Sequence, residues 1–594
     1  MFRNVWIITG LLLCAPFFVC ATEPEVRFTN AQEFWKGYDP RQLPLEVEVT
    51  KAWDEGEVQL EQLFFTGEIW EGKKVRVFAY RGAPKHGTKL AGILHIHGGG
   101  QTASLDWVRY WAKEGYVCVS HDFCGAMKGR SPSMVTDWEL APGYMADPSG
   151  PKSSLKPSAK HNSWYHWTLV ARRSLTLLES HPQVDPKRLG VFGVSVGGTL
   201  TWMVAGCDER VSAAVPIYGV GQNTYTFPWQ LPTDPADESA QVTRSLLEPE
   251  GYAPWVKCPL LFMNASNDHH GRLDLGMRTL ELTKQAKVLR EVYTPLTIHH
   301  IGAKEAPDLL LWMNYHLRGE GPVWPGSPQV SWAANEGLAQ IRVSVDQPDE
   351  VEKVVAYYGI SNPWPASRFY RKVVLTKQGS GNFQGPAPCL SVDDSLYCFA
   401  NVSYRSGIQL SSRVVTAKVR ELGDIRGTLT PALLIDSMED ERAWFWWLAP
   451  TDPLHVTPLL KPWKNAKGER GFTHVPAGAF SFATLALGDP QFCRKGTESL
   501  CVEVFTDGLQ KTLEVTVGKK FFQPGHTFFK ARPKIEVADD SWTTICIAPS
   551  DFLDESQKPL SNWSDVEFLC FSGTSDGERQ VVFRNLRWKA EERD

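Results

Sequence analysis

The stretch RLGVFGVSVGG, residues 188–198, decides the fold. Its first half, Leu189 to Val194, is a short apolar run that reads as a buried strand, and a helical pattern opens just after Ser195. Between them Gly193, Val194, Ser195, Val196 and Gly197 fit G-x-S-x-G, the turn that presents a serine hydroxyl at the end of a strand. Glycine is needed two residues before and two after the serine because side chains there would clash in so sharp a turn. The helix N-terminus that follows stabilises negative charge beside the hydroxyl. Ser195 is the expected nucleophile.

Working outward, ILHIHGGG, residues 93–100, ends an earlier strand in three glycines. Backbone N–H groups of Gly99 or Gly100, together with that of Val196, are placed to hold a developing oxyanion. His95 and His97 also suggest a metal pair of the HxHxDH kind. Glycines stand where that pattern needs further ligands, so no metal is expected.

A serine nucleophile needs a base, and the base needs an orienting carboxylate. CPLLFMNASNDHHG, residues 258–271, runs a buried strand into a loop and delivers Asp268 there. A helix, a strand from Val288 to Thr294, and then LTIHHIG, residues 296–302, supply His299 with His300 as the alternative base. Asp274, deeper in the loop, and Asp308, which reads as a helix start, are alternative acids. His269 and His270 read first as loop residues, with lining of the substrate pocket as the alternative.

Around these motifs, from about Gly67 to Leu317, short β-branched runs alternate with helical periodicity, the signature of a parallel sheet covered by helices. Strands are expected at Leu90–Ile96, Tyr116–Ser120, Ala213–Ile217 and Pro259–Asn264. Trp164, Trp167, Ala171, Leu175 and Leu178 form one stripe of a helix, with Arg172 and Arg173 on the other side. A last helix opens at Pro307 and closes at Gly319. The linker 319–328, GEGPVWPGSP, has no periodicity, and beyond it the pattern is all-β.

The chain therefore divides into a signal segment (1–21), an α/β unit (22–320), a β-sandwich (321–425) and a jelly-roll unit (426–594). At 594 residues it is too long for one core. Arg3, an apolar run from Val5 to Val19 and small residues at Cys20 and Ala21 read as a secretory leader, so a secreted or periplasmic protein is expected. In that oxidising setting Cys389 with Cys398, and Cys493 with Cys501, are expected to clip hairpins. With 62 basic and 67 acidic residues and no long run of one sign, nucleic acid is not an expected partner. No segment is long enough for a membrane span. The 23 Trp and 29 Phe include faces suited to stacking on sugars, although any single one reads first as core.

With these residues in hand, the N-terminal part resembles the α/β-hydrolase superfamily, specifically its dienelactone hydrolase and acetyl xylan esterase group. HIHGGG, GVSVGG, SWYHWTLVARRSLTLL (163–178), EPEGYAPWVKCPLLFMNASND (248–268) and LLLWMNYHLRG (309–319) carry the likeness. It implies a Ser195, Asp268, His299 triad, no cofactor, and ester hydrolysis through an acyl-enzyme. A dienelactone hydrolase proper would carry cysteine at the elbow, so serine points to the esterase branch. Val196 departs from the arginine expected there in a glucuronoyl esterase. The ending LSNWSDVEFLCFSGTSDGERQVVFRNLRWK (560–589) is similar to jelly-roll carbohydrate-binding modules, with Trp563 and Trp588 as platform or core.

The implied activity is removal of acetyl or other acyl groups from polysaccharide, with acylated carbohydrate as the partner and no oligomeric state assigned. Two alternatives stand beside it. One is a serine peptidase of the prolyl oligopeptidase type, although such enzymes carry their β-domain before the hydrolase unit. The other is an inactive glycan-binding protein.

Overall fold

The computed structural model describes residues 28–127, 129–141, 155, 157–221, 238–438, 444–447, 460–474, 479–505, 513–533, 541–574 and 581–589. The expected signal segment, 1–21, lies outside the described residues. Nine strands build the first sheet: β1 (Glu48–Glu55), β2 (Val58–Trp70), β3 (Lys73–Pro84), β4 (Leu90–Ile96), β5 (Val117–His121), β6 (Val184–Val194), β7 (Val211–Ile217), β8 (Leu260–Ala265) and β9 (Leu289–Thr294). Their order is β1-β2-β3-β5-β4-β6-β7-β8-β9. The pairs from β1 to β3 and from β3 to β5 are antiparallel, and every pair from β5 onward is parallel.

The parallel strands are apolar almost throughout because helices cover both faces. Trp107, Trp111, Leu309 and Trp312, from helices Leu105–Lys113 and Pro307–Met313, bury into one core. Trp167, Leu175, Leu200 and Trp202, from helices Ser163–Glu179 and Val196–Cys207, bury into another. From β4 the chain winds outward in both directions, through β5 on one side and β6 on the other. The carboxyl ends of strands on either side of such a switch point are where open α/β sheets bind ligands. Among the described residues no helix is long and apolar enough to cross a membrane.

The arginine side of helix Ser163–Glu179 is not a solvent face. Arg172 and Arg173 are both buried. Arg173 donates to the carbonyls of Pro40 and Thr66, and the Arg172 guanidinium lies 4.9 Å from the Trp35 ring. The segment before β1 packs over this side: the Arg173 guanidinium donates to its Pro40 and Pro44 carbonyls, while Arg172 pairs with Asp208 at 3.2 Å. Periodicity alone cannot distinguish that from exposure.

Gly319 closes the last helical turn in the left-handed region, with φ of 69°. Two sheets follow. One contains Gln329–Asn335, Leu338–Ser344, Asn382–Pro386 and Thr376–Gly379 in that order, and the other contains Arg371–Val374, Val351–Ile360, Ser395–Tyr404 and Gln409–Ser411. This unit leans on β9: the Tyr293 N–H donates to Ser411 Oγ at 2.7 Å, and Asn401 Nδ2 donates to the Tyr293 carbonyl at 2.9 Å. A second two-sheet unit has Leu460–Lys464, Arg470–His474, Val582–Trp588, Leu500–Phe505 and Trp542–Ile547 in one sheet. Phe445–Trp446, Ala479–Thr484, Val566–Thr574, Glu514–Lys519 and Thr527–Ala531 form the other. Both sheets feed one core around Val504, Phe571 and Phe583.

Neither expected cysteine pairing forms. Cys501 is joined instead to Cys546, its direct register partner on the neighbouring strand, while Cys389, Cys398 and Cys493 are free thiols. Nearness in sequence misleads here, because the hydrogen-bonded ladder brings Cys501 opposite a residue 45 positions later. Trp563 and Trp588 are core: both are buried, and their indole N–H groups donate to the carbonyls of Glu498 and Phe492.

Candidate active site

Sheet register gathers the sequence motifs on one edge. Ile96 of β4 pairs with Gly193 of β6, Val194 with Ile217 of β7, and Ala265 of β8 with Thr294 of β9. The residues just beyond these ends, 97–100, 195, 218, 268 and 299, therefore emerge on the same side.

At the elbow Ser195 has φ of 59° and ψ of −118°, a conformation L-residues rarely adopt. Its N–H donates to the Ile217 carbonyl at 2.9 Å, and its carbonyl accepts the first bond of helix Val196–Cys207 from the Thr199 N–H. The flanking glycines are required by close approach. A Cβ on Gly193 would sit 2.3 Å from the Gly197 carbonyl oxygen, and one on Gly197 would sit 2.0 Å from that of Ile96. Val196, the first residue of the helix, is partly exposed beside the serine.

Gly99 and Gly100 are exposed at the mouth of the same edge, and Gly100 takes a positive φ of 71°. The turn is fixed by side chains on either flank. The Gly98 N–H donates to Gln101 Oε1 at 2.9 Å, and Arg130 donates to the Gly100 carbonyl. His97 stacks on Phe123 at 4.1 Å, with Nδ1 2.7 Å from the Gly98 carbonyl, while Nε2 accepts from the Phe123 N–H at 3.2 Å. His95 turns to Ser120 Oγ at 2.9 Å. His97 thus braces the loop through its ring nitrogens, whereas His95 is bonded across to β5. Among the described residues no group of three or more His, Cys, Asp or Glu is arranged to hold a metal ion.

The acid and base candidates meet. His299 Nδ1 lies 2.6 Å from Asp268 Oδ2, while Asp268 Oδ1 accepts from the backbone N–H groups of His270 and Gly271, each at 2.7 Å. Asp268 is fully buried, and a buried carboxylate surrounded by donors is held as an acceptor. Nδ1 of His299 then carries the proton, which leaves Nε2 as the proton-accepting nitrogen. The Tyr218 ring packs 4.5 Å from that of His299. Asp274 pairs with Arg272 at 3.0 Å, and Asp308 accepts from the Gln409 N–H at 3.0 Å, so neither is joined to a histidine. His300 is buried behind its neighbour.

The two loops carrying this pair extend the β8/β9 ladder. The Ser266 N–H donates to the Thr294 carbonyl at 2.9 Å, and the Asn267 N–H donates to that of Thr297 at 3.1 Å. Other contacts come from outside the first sheet and have no signal in the local sequence. Asn267 Nδ2 donates to the carbonyls of Pro365 and Arg368 at 2.8 and 2.7 Å. The His269 ring stacks on Phe522 at 4.1 Å. Burial, reinforced by the rings of His270 and His299, pushes the pKa of His269 far down, and burial beside His299 lowers that of His270 to about 4. Both rings are therefore neutral at neutral pH beside His299.

Residues 79–299 match the Dienelactone hydrolase family. "Uncharacterized peptidase YuxL" of Bacillus subtilis (strain 168) is 30% identical over 160 residues, which is 24% of this chain and 24% of that protein. The chain thus matches about a quarter of the length of that curated relative. Among solved structures, an acetyl xylan esterase from Paenibacillus sp. R4 aligns at 17% identity over 47% of this chain and 91% of that one, with a TM-score of 0.39. Acetyl xylan esterase 1 from Thermoanaerobacterium sp. JW/SL YS485 aligns at 18% identity over 46% and 88%, with a TM-score of 0.38.

Proposed function

From the premise that residues 79–299 form a domain of the dienelactone hydrolase family of α/β-hydrolases, we propose that this protein is a secreted or periplasmic serine esterase that deacylates polysaccharide. The observation that carries the serine mechanism is the 2.6 Å contact between His299 and Asp268 on the sheet edge that also bears the strained Ser195 elbow.

In this reading Ser195 Oγ attacks the ester carbonyl while His299 Nε2 takes its proton. The N–H of Val196 and that of Gly99 or Gly100 hold the oxyanion. Asp268 stabilises the imidazolium, which returns the proton to the departing sugar hydroxyl. Water then hydrolyses the acyl-enzyme by the same route. Serine in place of cysteine at the elbow supports an ester substrate, and the leader and the two β-units support a polymeric one outside the cytoplasm. The buried Trp563 and Trp588 contribute no sugar platform.

The test is acetate release from acetylated polysaccharides and from a simple aryl acetate. Ser195→Ala is expected to lose at least ~10³-fold in kcat and Asp268→Asn about 10³ to 10⁴-fold, through the wrong histidine tautomer. Unchanged turnover in Ser195→Ala would overturn the assignment. A peptidase reading draws on the name of the Bacillus subtilis relative. Cleavage of peptide amides without ester preference would establish it instead.

A further inference from the structure

Phe522 belongs to the last β-unit, more than 200 residues after the base, yet its ring is one layer away from the catalytic arm. It stacks on His269 with planes 6° apart, and His269 in turn lies 4.0 Å from His270 and 5.8 Å from His299, ring to ring. The residue just before the base, Ile298, shares a buried cluster with Phe521, Phe522 and Phe568.

The turn that presents Phe522 is strained and specifically tied down. Lys520 and Phe522 take φ of 49° and 51°, a conformation unfavourable for a bulky aromatic residue. Glu567 accepts from the Phe521 N–H at 2.8 Å and from Gln523 Nε2 at 2.9 and 3.0 Å. Gln523 Nε2 also reaches Ser367 Oγ at 3.1 Å, in the β-sandwich segment whose carbonyls receive Asn267. A ring needed only to fill a core could sit on an unstrained strand. Here the backbone bears strain so that one flat face meets the residue immediately after Asp268.

We propose that Phe522 is a positioning residue for the Asp268 and His299 pair, so that the last β-unit is part of the catalytic scaffold and not only an appended module. By stacking on His269 it fixes the loop 268–271, whose N–H groups orient the Asp268 carboxylate toward His299. This rests on the serine-hydrolase reading above.

The test compares full-length Phe522→Ala, Phe522→Leu and Phe522→Tyr with the wild type. Two readouts are used: steady-state hydrolysis of an aryl acetate, and the rate at which a small fluorophosphonate labels Ser195. Since a misplacement of about 1 Å can cost ~10²-fold in rate, Phe522→Ala and Phe522→Leu are expected to lower kcat and labelling rate together by ~10 to 100-fold, with KM within about 2-fold. Phe522→Tyr, which keeps the stacked face, is expected to stay within about 3-fold of wild type. Phe522→Leu keeps the cluster filled and so carries the comparison if Phe522→Ala does not fold. A KM rise with unchanged labelling would make Phe522 a substrate contact and overturn the proposal. Lower melting temperature with unchanged kcat would make it a packing residue and also overturn it. Failure to label the wild type would instead refute the serine-hydrolase reading, and the positioning role with it.

Discussion

The elbow and the catalytic arm sit on one sheet edge, but they are held by different means. Ser195 is fixed from within: its restraints are the backbone of β4, β6 and β7 and two glycines that let those chains approach. The pair Asp268 and His299 is fixed partly from without, by the Pro365 and Arg368 carbonyls of one β-unit and the Phe522 ring of another. On the proposed reading the nucleophile is thus a property of the first sheet alone, whereas the competence of the proposed base would depend on three units being docked. Such a division would let the β-units influence turnover without touching the substrate.

The largest effect should come from breaking the inner restraint. In Gly197→Ala the new Cβ would meet the Ile96 and His97 carbonyl oxygens at 2.0 and 2.5 Å, and both are backbone atoms that cannot swing aside. Forced overpacking of this kind costs about 1–3 kcal/mol or more, and here it displaces the turn that presents the hydroxyl. Activity is expected to fall at least ~10³-fold, beyond what the stability loss explains. Near-normal fluorophosphonate labelling of Gly197→Ala would show that the elbow is not held as described.

A smaller effect is expected from the outer restraint. Asn267→Ala removes the side-chain donors to Pro365 and Arg368; the Pro365 carbonyl keeps the Arg368 N–H, whereas the buried Arg368 carbonyl loses its donor, at about 1–3 kcal/mol for an unsatisfied group. The loop keeps its own ladder bonds to Thr294 and Thr297, so it loosens without unfolding. A ~10-fold loss of kcat with labelling slowed in parallel is expected, because the loop carrying the acid is less well oriented. If only melting temperature changes, the outer contacts serve docking alone, and the contrast between elbow and arm disappears.

This contrast also explains what was legible in the sequence. The mostly parallel sheet, the elbow, the glycine-rich turn after β4 and the order of Ser195, Asp268 and His299 all follow from local pattern, because each is set by neighbours within a few residues or by a strand end. The choice between His299 and His300, or among Asp268, Asp274 and Asp308, is made by three-dimensional pairing, and only the folded chain joins His299 to Asp268. The stack of His269 on Phe522 joins positions separated by most of two β-units, and nothing near either residue marks it. The Cys501–Cys546 bridge escaped for the same reason, since cross-strand register is not encoded in spacing. Arg172 and Arg173 look like a solvent face until the segment before β1 is seen to cover them.

The smallest expected effect on turnover, read instead as a stability difference, concerns an inner support of the arm that titrates, unlike the backbone contacts of the elbow. Glu305 is buried beneath the 295–302 loop, where its Oε2 is 3.4 Å from Thr294 Oγ1, and burial raises its pKa from the ordinary 4.5 to about 7. The unfolded chain ionises this group from about pH 4.5, whereas the folded chain keeps it protonated until about pH 7. Between those values the native state binds more protons, so this group's contribution to stability declines as pH rises and is lowest above pH 7. Glu305→Gln stays neutral throughout. Relative to wild type it should gain up to roughly 3 kcal/mol between pH 5 and pH 8, since each tenfold difference in proton affinity between the folded and unfolded chain is worth about 1.36 kcal/mol. The measurement is the difference in melting temperature between variant and wild type at the two pH values. A difference that is the same at both would mean that Glu305 is ionised in the folded protein across this range, and the arm would then have no pH-sensitive support from beneath.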